Sequence, residues 1–459
     1  MVRNDVQSAL KEALSSELFT VGHTPPGHEV FNSTVPVRVG ASVQVQTVGH
    51  IQSAMRAAAA AGRKVSVLTS GHGLTDGLFG DVTLNLSSFD AVSVDAENHI
   101  ATIGGGARWS GVIDQCNEVG LAPLSGSSPG VGAVGYMTGG GMGLLAREFG
   151  FCADHVVDVE LVTGSGEVLT ASPDENADLF WAIRGSQSSV GVVTAMRVKL
   201  FPVERFYGGN LIWPAQWALE VVPQILEWVR GVPESMSVSF ALIDFPPVEA
   251  LPELMRGRKM LVARLCTTSQ SPGDQALMAD LAARTKPVAN TLRAMPLSET
   301  ATIHADPLVR GNYRSWSYGL REVGDSSLRT IEDWVETDSG AGLIEFRLMG
   351  GAVGRRPAVE NCVDGRDFPV NCFVVGEGHP GGAEETDMGL SNITMGLWDD
   401  RAEHLLINFM GGNQLNDIRS AFRAESINRL AGVIDAYDPD GVMRTVIDVR
   451  PHAESGLSC

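Results

Sequence analysis

Three short stretches of this chain hold the residue types best suited to gripping an anionic ligand. The first, Leu68-Thr69-Ser70-Gly71-His72-Gly73, ends an apolar run from Lys64 that reads as a buried strand. Small residues at such a place let backbone N–H groups close on a phosphate with no Cβ in the way. The second runs from Ser125-Gly126-Ser127-Ser128-Pro129-Gly130-Val131-Gly132-Ala133-Val134-Gly135 into Thr138-Gly139-Gly140-Gly141-Met142-Gly143. The third, Gly185 to Thr194, closes on Gly191-Val192-Val193-Thr194 just as a long apolar strand begins. Each lies at the end of a predicted element, so together they would line one elongated, phosphate-containing ligand. A lone histidine usually plays a structural part, but His72 stands inside the first of these cradles.

Gly130, Gly132 and Gly135 match the dinucleotide spacing G-x-G-x-x-G, which carries meaning only between a strand and a helix of a βαβ unit. Here Pro129 and two serines precede it, and Gly139 to Gly141 would weaken the helix that should follow, so no Rossmann site is expected. Period-two alternation along Leu343 to Met349 places Glu345, Arg347 and Met349 on one face. Glu345 there is either a general base raised by desolvation or the partner of Arg347 on a solvated face. The ten histidines show neither His-x-x-x-His nor His-Glu-x-x-His, and no metal site is expected. The six cysteines (116, 152, 266, 362, 372 and 459) form no Cys-x-x-Cys and read as buried thiols of a reducing compartment.

The elements that must carry these residues alternate in type. From 37 to 201 the pattern reads as a helix over Val43–Ala61 and strands over Lys64–Leu68, Val82–Leu86 and His99–Ile103. A helix over Trp109–Val119, a hairpin from Asp158 to Leu169, a helix over Asp174–Arg184 and a strand over Val190–Leu200 follow. After Pro202 the strands lengthen: one from Phe206, then Met236–Ile243, Met260–Leu265 and Leu343–Met349. Helices over Pro214–Val229, Gln275–Arg284 and Ser327–Thr337 lie between them. Long strands with helices to one side predict an antiparallel sheet covered on one face. A strand over His404–Phe409 and a helix over Leu415–Tyr437 close the α+β layout.

The 459 residues carry 34 Lys and Arg against 54 Asp and Glu, a net charge of −20, with 44% hydrophobic residues. That is enough apolar material for a sizeable core, and the acidic balance speaks against nucleic-acid and anionic-membrane partners. It also speaks against a strongly anionic substrate, unless a local pocket overrides the net field. Met1 to Phe19 lacks the apolar core of a signal peptide, and no run of about 18 apolar residues occurs. A cytoplasmic protein, monomeric or homodimeric and bound to no membrane, is expected.

Four motifs in order resemble a known family. They are Val65 to Gly73; Gly126-Ser127-Ser128-Pro129 through Gly135-Tyr136 with its triple glycine; Asp178-Leu179-Phe180-Trp181-Ala182-Ile183-Arg184-Gly185; and Tyr437-Asp438-Pro439-Asp440-Gly441-Val442-Met443-Arg444. They resemble the FAD-linked oxidases, more narrowly the berberine-bridge-enzyme-like branch of the vanillyl-alcohol-oxidase / p-cresol-methylhydroxylase superfamily. The likeness runs over about 30–210 and 400–451, with Gly350-Gly351-Ala352 as the best local match between.

The resemblance implies a two-part FAD-binding domain of the p-cresol-methylhydroxylase type, residues 1–203 with a C-terminal return over 404–459, and a substrate domain over 204–403. It implies that FAD is held by Leu68, Thr69, Ser70, Gly71, His72, Gly73, Ser127, Ser128, Val131, Gly132, Gly135 and Tyr136. Gly139, Gly140, Gly141, Gly143, Gly191, Val193 and Asn408 complete the implied cofactor contacts. His72 matches the histidine bonded to the flavin 8α-methyl; Ser128 stands where many relatives have a second, cysteinyl link, so one covalent bond is expected. Val131 matches a position beside flavin C4a that is small or Val in oxidases. Glu345, Tyr313 and Tyr136 are the catalytic candidates, with Tyr318 a further pocket residue.

The implied reaction takes hydride from a C–H beside oxygen or nitrogen onto the flavin and passes the electrons to O2, giving H2O2, in natural-product tailoring or on simple sugars. Two departures bear on it. Relatives show Gly-Asn-Phe-Gly where this chain has Ser188-Ser189-Val190-Gly191, and Asn-x-Asn where it has Val446 and Asp448. They leave room for an FAD-bound tailoring enzyme of cyclase or isomerase type. A ligand-binding protein without FAD is the third reading, against which His72 and the intact triple glycine stand.

Overall fold

The computed structural model describes residues 3–14, 18–21, 31–32, 40–73, 81–307, 310–337, 340–377, 383–411, 418–444 and 447–450. Three sheets organise them. The first has the order Phe19–Val21, Ala41–Gln44, Val82–Asn85, Val65–Leu68, with its last three strands parallel. Helix Val48–Ala60 packs Ile51, Ala54, Met55 and Ala58 into the core of this layer beside Val43 and Leu84. The expected helix over Val43–Ala61 therefore divides. Ala41–Gln44 pairs as a strand, and Thr47 starts the helix by accepting a bond from His50 N–H at 3.2 Å.

The second sheet is antiparallel, in the order Val92–Asp95, Ile100–Gly104, Gly191–Lys199, Val156–Thr163, Val168–Ala171. Between its strands, a short helix (Ala133–Thr138) begins directly after Gly132 and stops at Gly139. The glycines that argue against a long helix there do end it, after less than two turns.

The third sheet has eight antiparallel strands. Its order is Ala289–Asn290, Phe206–Pro214, Lys259–Thr267, Met236–Asp244, Leu343–Leu348, Val370–Glu377, Tyr313–Leu320, with Arg293–Met295 also against Phe206–Pro214. Helices Ala218–Trp228, Pro272–Thr285, Asp325–Glu336 and Ala383–Gly396 cover one face through Val221, Leu281, Trp334 and Leu390. Alternation dictates this arrangement, since every second residue of each strand meets the helices. Pro214 ends a strand here and starts no long helix; a 3-10 turn separates it from Ala218.

Two C-terminal expectations change. Residues 404–409 form no strand; Ile407–Phe409 is a single 3-10 turn. The helix expected from Leu415 runs from Ala424 to Tyr437, with 412–417 outside the described residues. The chain then returns to the first sheet. Val65 N–H donates to Val442 O and Arg444 N–H to Val65 O, both at 2.7 Å, forming a parallel bridge between Val65 and Met443. Asp438 prepares that return by accepting from Val442 N–H (2.6 Å) and Met443 N–H (3.0 Å).

Candidate active site

One cavity of about 1070 Å³ lies between the first two sheets and the uncovered face of the third. It gathers the glycine-rich turns from distant parts of the chain. Leu68, Thr69, Ser70, Gly71, His72 and Gly73 line it, as do Ser127, Ser128, Val131, Gly132, Gly135, Tyr136 and Val193. Asn408, Glu345 and Tyr313 also line it. A Cβ at Gly73 or Gly135 would meet nothing within 4 Å, so these turns leave open space beside their backbone. Ser70 Oγ accepts from Gly132 N–H at 3.0 Å and ties the first cradle to the second.

Gly139, Gly140, Gly141, Gly143 and Gly191 lie off the cavity lining. They are glycines because other groups crowd them. A Cβ on Gly143 would stand 1.9 Å from Ser125 O, and one on Gly191 2.4 Å from Val162 O. Gly139 makes room for Asn408, whose Nδ2 donates to Tyr136 O at 3.0 Å. Pattern reading sees only glycine; it cannot separate a cradle from a close contact. Tyr318 also leaves the site. Five residues from Tyr313 on one strand, it takes the opposite face and packs in the covered core with Arg401 3.7 Å from its ring centre.

His72 stacks on Phe31 with ring centres 3.9 Å apart, and Phe31 stacks on Tyr313 at 5.2 Å. Burial lowers the His72 pKa below its ordinary value, opposed by Asp306 and helped by Arg108, so the imidazole is neutral near pH 7. Asp306, a residue with no motif around it, lines the cavity and accepts from Ser127 Oγ at 2.5 Å.

Glu345 is neither a raised base nor half of a solvated pair. It is buried and accepts from Arg264 (2.6 Å), Ser239 (3.0 Å) and Arg347 (2.8 Å), with His304 Nε2 3.3 Å away. Burial alone would lift its pKa, but Arg347, Arg264 and His304 together draw it well below the carboxylate range. Arg264 and His304 fell outside the sequence reading because only the sheet register brings them to Glu345. A group held low stabilises the fold above about pH 4.3 and loses that contribution as pH falls through the acid range. Glu345→Gln should cost about 3 kcal/mol at neutral pH, because the buried Arg264 and the half-buried Arg347 lose their charged partner. It should also narrow the gap between melting temperatures at pH 7 and pH 3.5. An unchanged gap would show that another carboxylate controls acid unfolding.

Tyr136 is the reverse case. Burial raises its phenol pKa well above 10, with Cys152 adding to the shift and Arg347 opposing it, so it stays protonated at neutral pH. Its hydroxyl and Asn408 Oδ1 are buried without a hydrogen-bond partner. Orphaned polar atoms on a cavity wall fit a polar ligand. That ligand meets backbone N–H groups at the glycine turns and polar side chains across from them, a donor set suited to FAD.

Of the departures, Ser189 bonds Ser186 Oγ at 2.6 Å and Val190 packs in the core; neither lines the cavity. Asp448 binds Arg450 at 2.9 and 2.7 Å, and Val446 lies outside the described residues. Cysteines 116, 152, 266, 362 and 372 are buried free thiols, with Cys116 and Cys266 pushed up to about 12 by burial. Among the described residues there is no group of three or more His, Cys, Asp or Glu able to hold a metal ion. No helix among them is long and apolar enough to cross a membrane.

Residues 39–172 match the FAD binding domain family model. The chain carries an FAD-binding domain. Around that domain it is 38% identical over 169 residues to the FAD-linked oxidoreductase azaL of Aspergillus niger, covering 36% of each chain. It is 34% identical over 219 residues to a xylooligosaccharide oxidase of Thermothelomyces thermophilus, covering 45% of this chain and 44% of that one. The chain thus spans less than half the length of these curated relatives. Its fold is similar to that of BBE-like 1 from Physcomitrella patens, with a TM-score of 0.82 at 19% identity over 97% of this chain and all of that one. The likeness of fold extends over nearly the whole chain, well beyond the residues matched as an FAD binding domain. The motif Asp178 to Gly185 has a mainly structural part. Arg184 is buried and donates to Phe180 O, Ala153 O, Val359 O and Glu360 O at 2.5–3.4 Å, pinning this motif to the connection between strands Leu343–Leu348 and Val370–Glu377 of the third sheet.

Proposed function

We propose that the protein is an FAD-dependent oxidase that takes hydride from a C–H beside oxygen or nitrogen of a small molecule and uses O2 as acceptor, releasing H2O2. One observation carries the reading: three glycine-rich turns of the FAD-binding domain and the polar face of an antiparallel sheet close on one cavity that also contains His72. A relative named as an oxidase supports O2 as the acceptor.

Bound FAD supplies the two-electron acceptor. The backbone of Thr69 to Gly73 would hold its anionic portion, and His72 would be the site of a single covalent link, Ser128 offering no thiol for a second. Small Val131 leaves access for O2. Tyr136, protonated, donates a hydrogen bond; Glu345, held ionised between two arginines, orders the wall. Of the three candidates, Tyr313 is then the one to test as proton acceptor. Ile212, Phe245, Met255 and Val262 give the far end of the cavity an apolar lining, which suits the bulky skeleton of a natural product under tailoring.

The test mixes the purified protein anaerobically with a panel of alcohols, amines and phenols. A substrate should bleach the flavin bands, and admitted O2 should restore them with one H2O2 per turnover. Turnover with no O2 uptake would replace oxidation by cyclase or isomerase chemistry. A colourless protein would end the cofactor assignment.

A further inference from the structure

We propose that the cavity recognises a carboxylate on its substrate, gripped by Arg347 with Arg264 behind it. The inference rests on the oxidase reading above and names the substrate class of that site.

The sheet register places four polar residues in one row across the cavity face. Asn210 pairs with Arg264, Arg264 with Ser239, and Ser239 with Arg347. Glu345, two residues before Arg347, shares that face. This part of the face therefore holds two guanidinium groups and one carboxylate. His304 adds no charge, because burial and the nearby Arg264 lower its pKa below 6.5 despite Glu345. One positive charge is left over in a wall where the Arg264, Glu345 and His304 side chains are 5%, 2% and 6% exposed, and that of Arg347, facing the cavity, 16%. An uncompensated charge so placed is costly unless an anion joins it.

The hydrogen bonds point the same way. Arg347 spends Nε on Glu345 and lays its guanidinium 4.7 Å from the centre of the Phe409 ring. Its two terminal nitrogens bond no described residue, although the side chain lines the cavity. Arg264 Nε and His304 Nδ1 are buried without hydrogen-bond partners. Two parallel N–H donors on a planar fork match a carboxylate. The other acids on the cavity, Asp244 and Asp306, lie outside this row, and Asp306 accepts from Ser127. The net charge of −20 thus encloses a local site of opposite sign.

Benzoate and benzamide, equal in shape and different in charge, are the probes. Titration calorimetry on the flavin-loaded protein should show benzoate binding at least tenfold more tightly. Arg347→Met should erase the preference, and Arg347→Lys, which keeps the charge and loses the fork, should retain part of it. Equal binding of the two probes, or a preference that survives Arg347→Met, would overturn the proposal. So would an Arg347→Met variant that alters the flavin reduction potential and leaves the probe preference intact, since the charge would then serve the flavin. If Arg347→Met fails to fold, an Arg347→Lys variant with full preference overturns the fork and one with reduced preference supports it. A colourless protein that still prefers benzoate would support this site while sinking the oxidase reading.

Discussion

His72→Ala should turn the flavin from a bound part of the protein into a dissociable ligand. Acid precipitation of the parent protein should leave the yellow colour in the pellet, whereas the variant should release it to the supernatant. The argument joins three observations: His72 sits on the cavity, burial keeps its imidazole neutral, and its ring is held by the stack on Phe31. A neutral imidazole has the free lone pair that a bond to carbon requires; a protonated one does not. The variant should still bind FAD, because the backbone of Thr69 to Gly73 is untouched. Colour in the supernatant of the parent protein would leave FAD binding standing and remove the covalent role of His72.

Arg184→Met should be the most damaging single change away from the cavity. The guanidinium is held by four carbonyls and lies 3.8 Å from the Phe180 ring centre. Burial pushes its pKa down to about 10, so it remains charged at neutral pH. Methionine keeps much of the volume and abandons all four acceptors. Unsatisfied buried groups cost about 1–3 kcal/mol each, and water reaching the rim offsets part of that, so about 3 kcal/mol or more is expected. The measurement is urea unfolding followed by flavin fluorescence and by far-ultraviolet circular dichroism. Loss of flavin ahead of the fold would place the weakness at the seam with residues 359–363. An unchanged midpoint would mean the carbonyls find water easily and Arg184 holds nothing together.

Local patterns carried the sequence reading where a residue's job depends on its neighbours in the chain. The turn at Leu68–Gly73, which lines the cavity, the alternation through Glu345 and the helix Trp109–Glu118 are such cases. It failed where partners come from afar. Glu345 looks like a potential base because nothing within Leu343–Met349 announces Arg264, which arrives through the register with Met236–Asp244. The triple glycine looks like a second cradle because close packing and ligand approach demand the same missing Cβ. Asn408 was assigned to the cavity correctly while its element was mistaken for a strand. The apolar run Leu405-Leu406-Ile407 suits a strand, and the segment lies beside the edge strand Tyr313–Leu320, where Ala402 N–H donates to Gly319 O at 2.8 Å, but it turns at Ile407–Phe409 and forms no ladder there.

The bridge between Val65 and Met443 has a temporal side. Proteins are made from the N-terminus, and domains generally fold in that order as they emerge. Here the strand that leads into the first glycine cradle is completed by residues made almost 380 positions later, and the whole third sheet is made in between. Deleting Gly441 to Arg444 would therefore take the partner away from a strand of the first sheet while leaving every strand of the third in place.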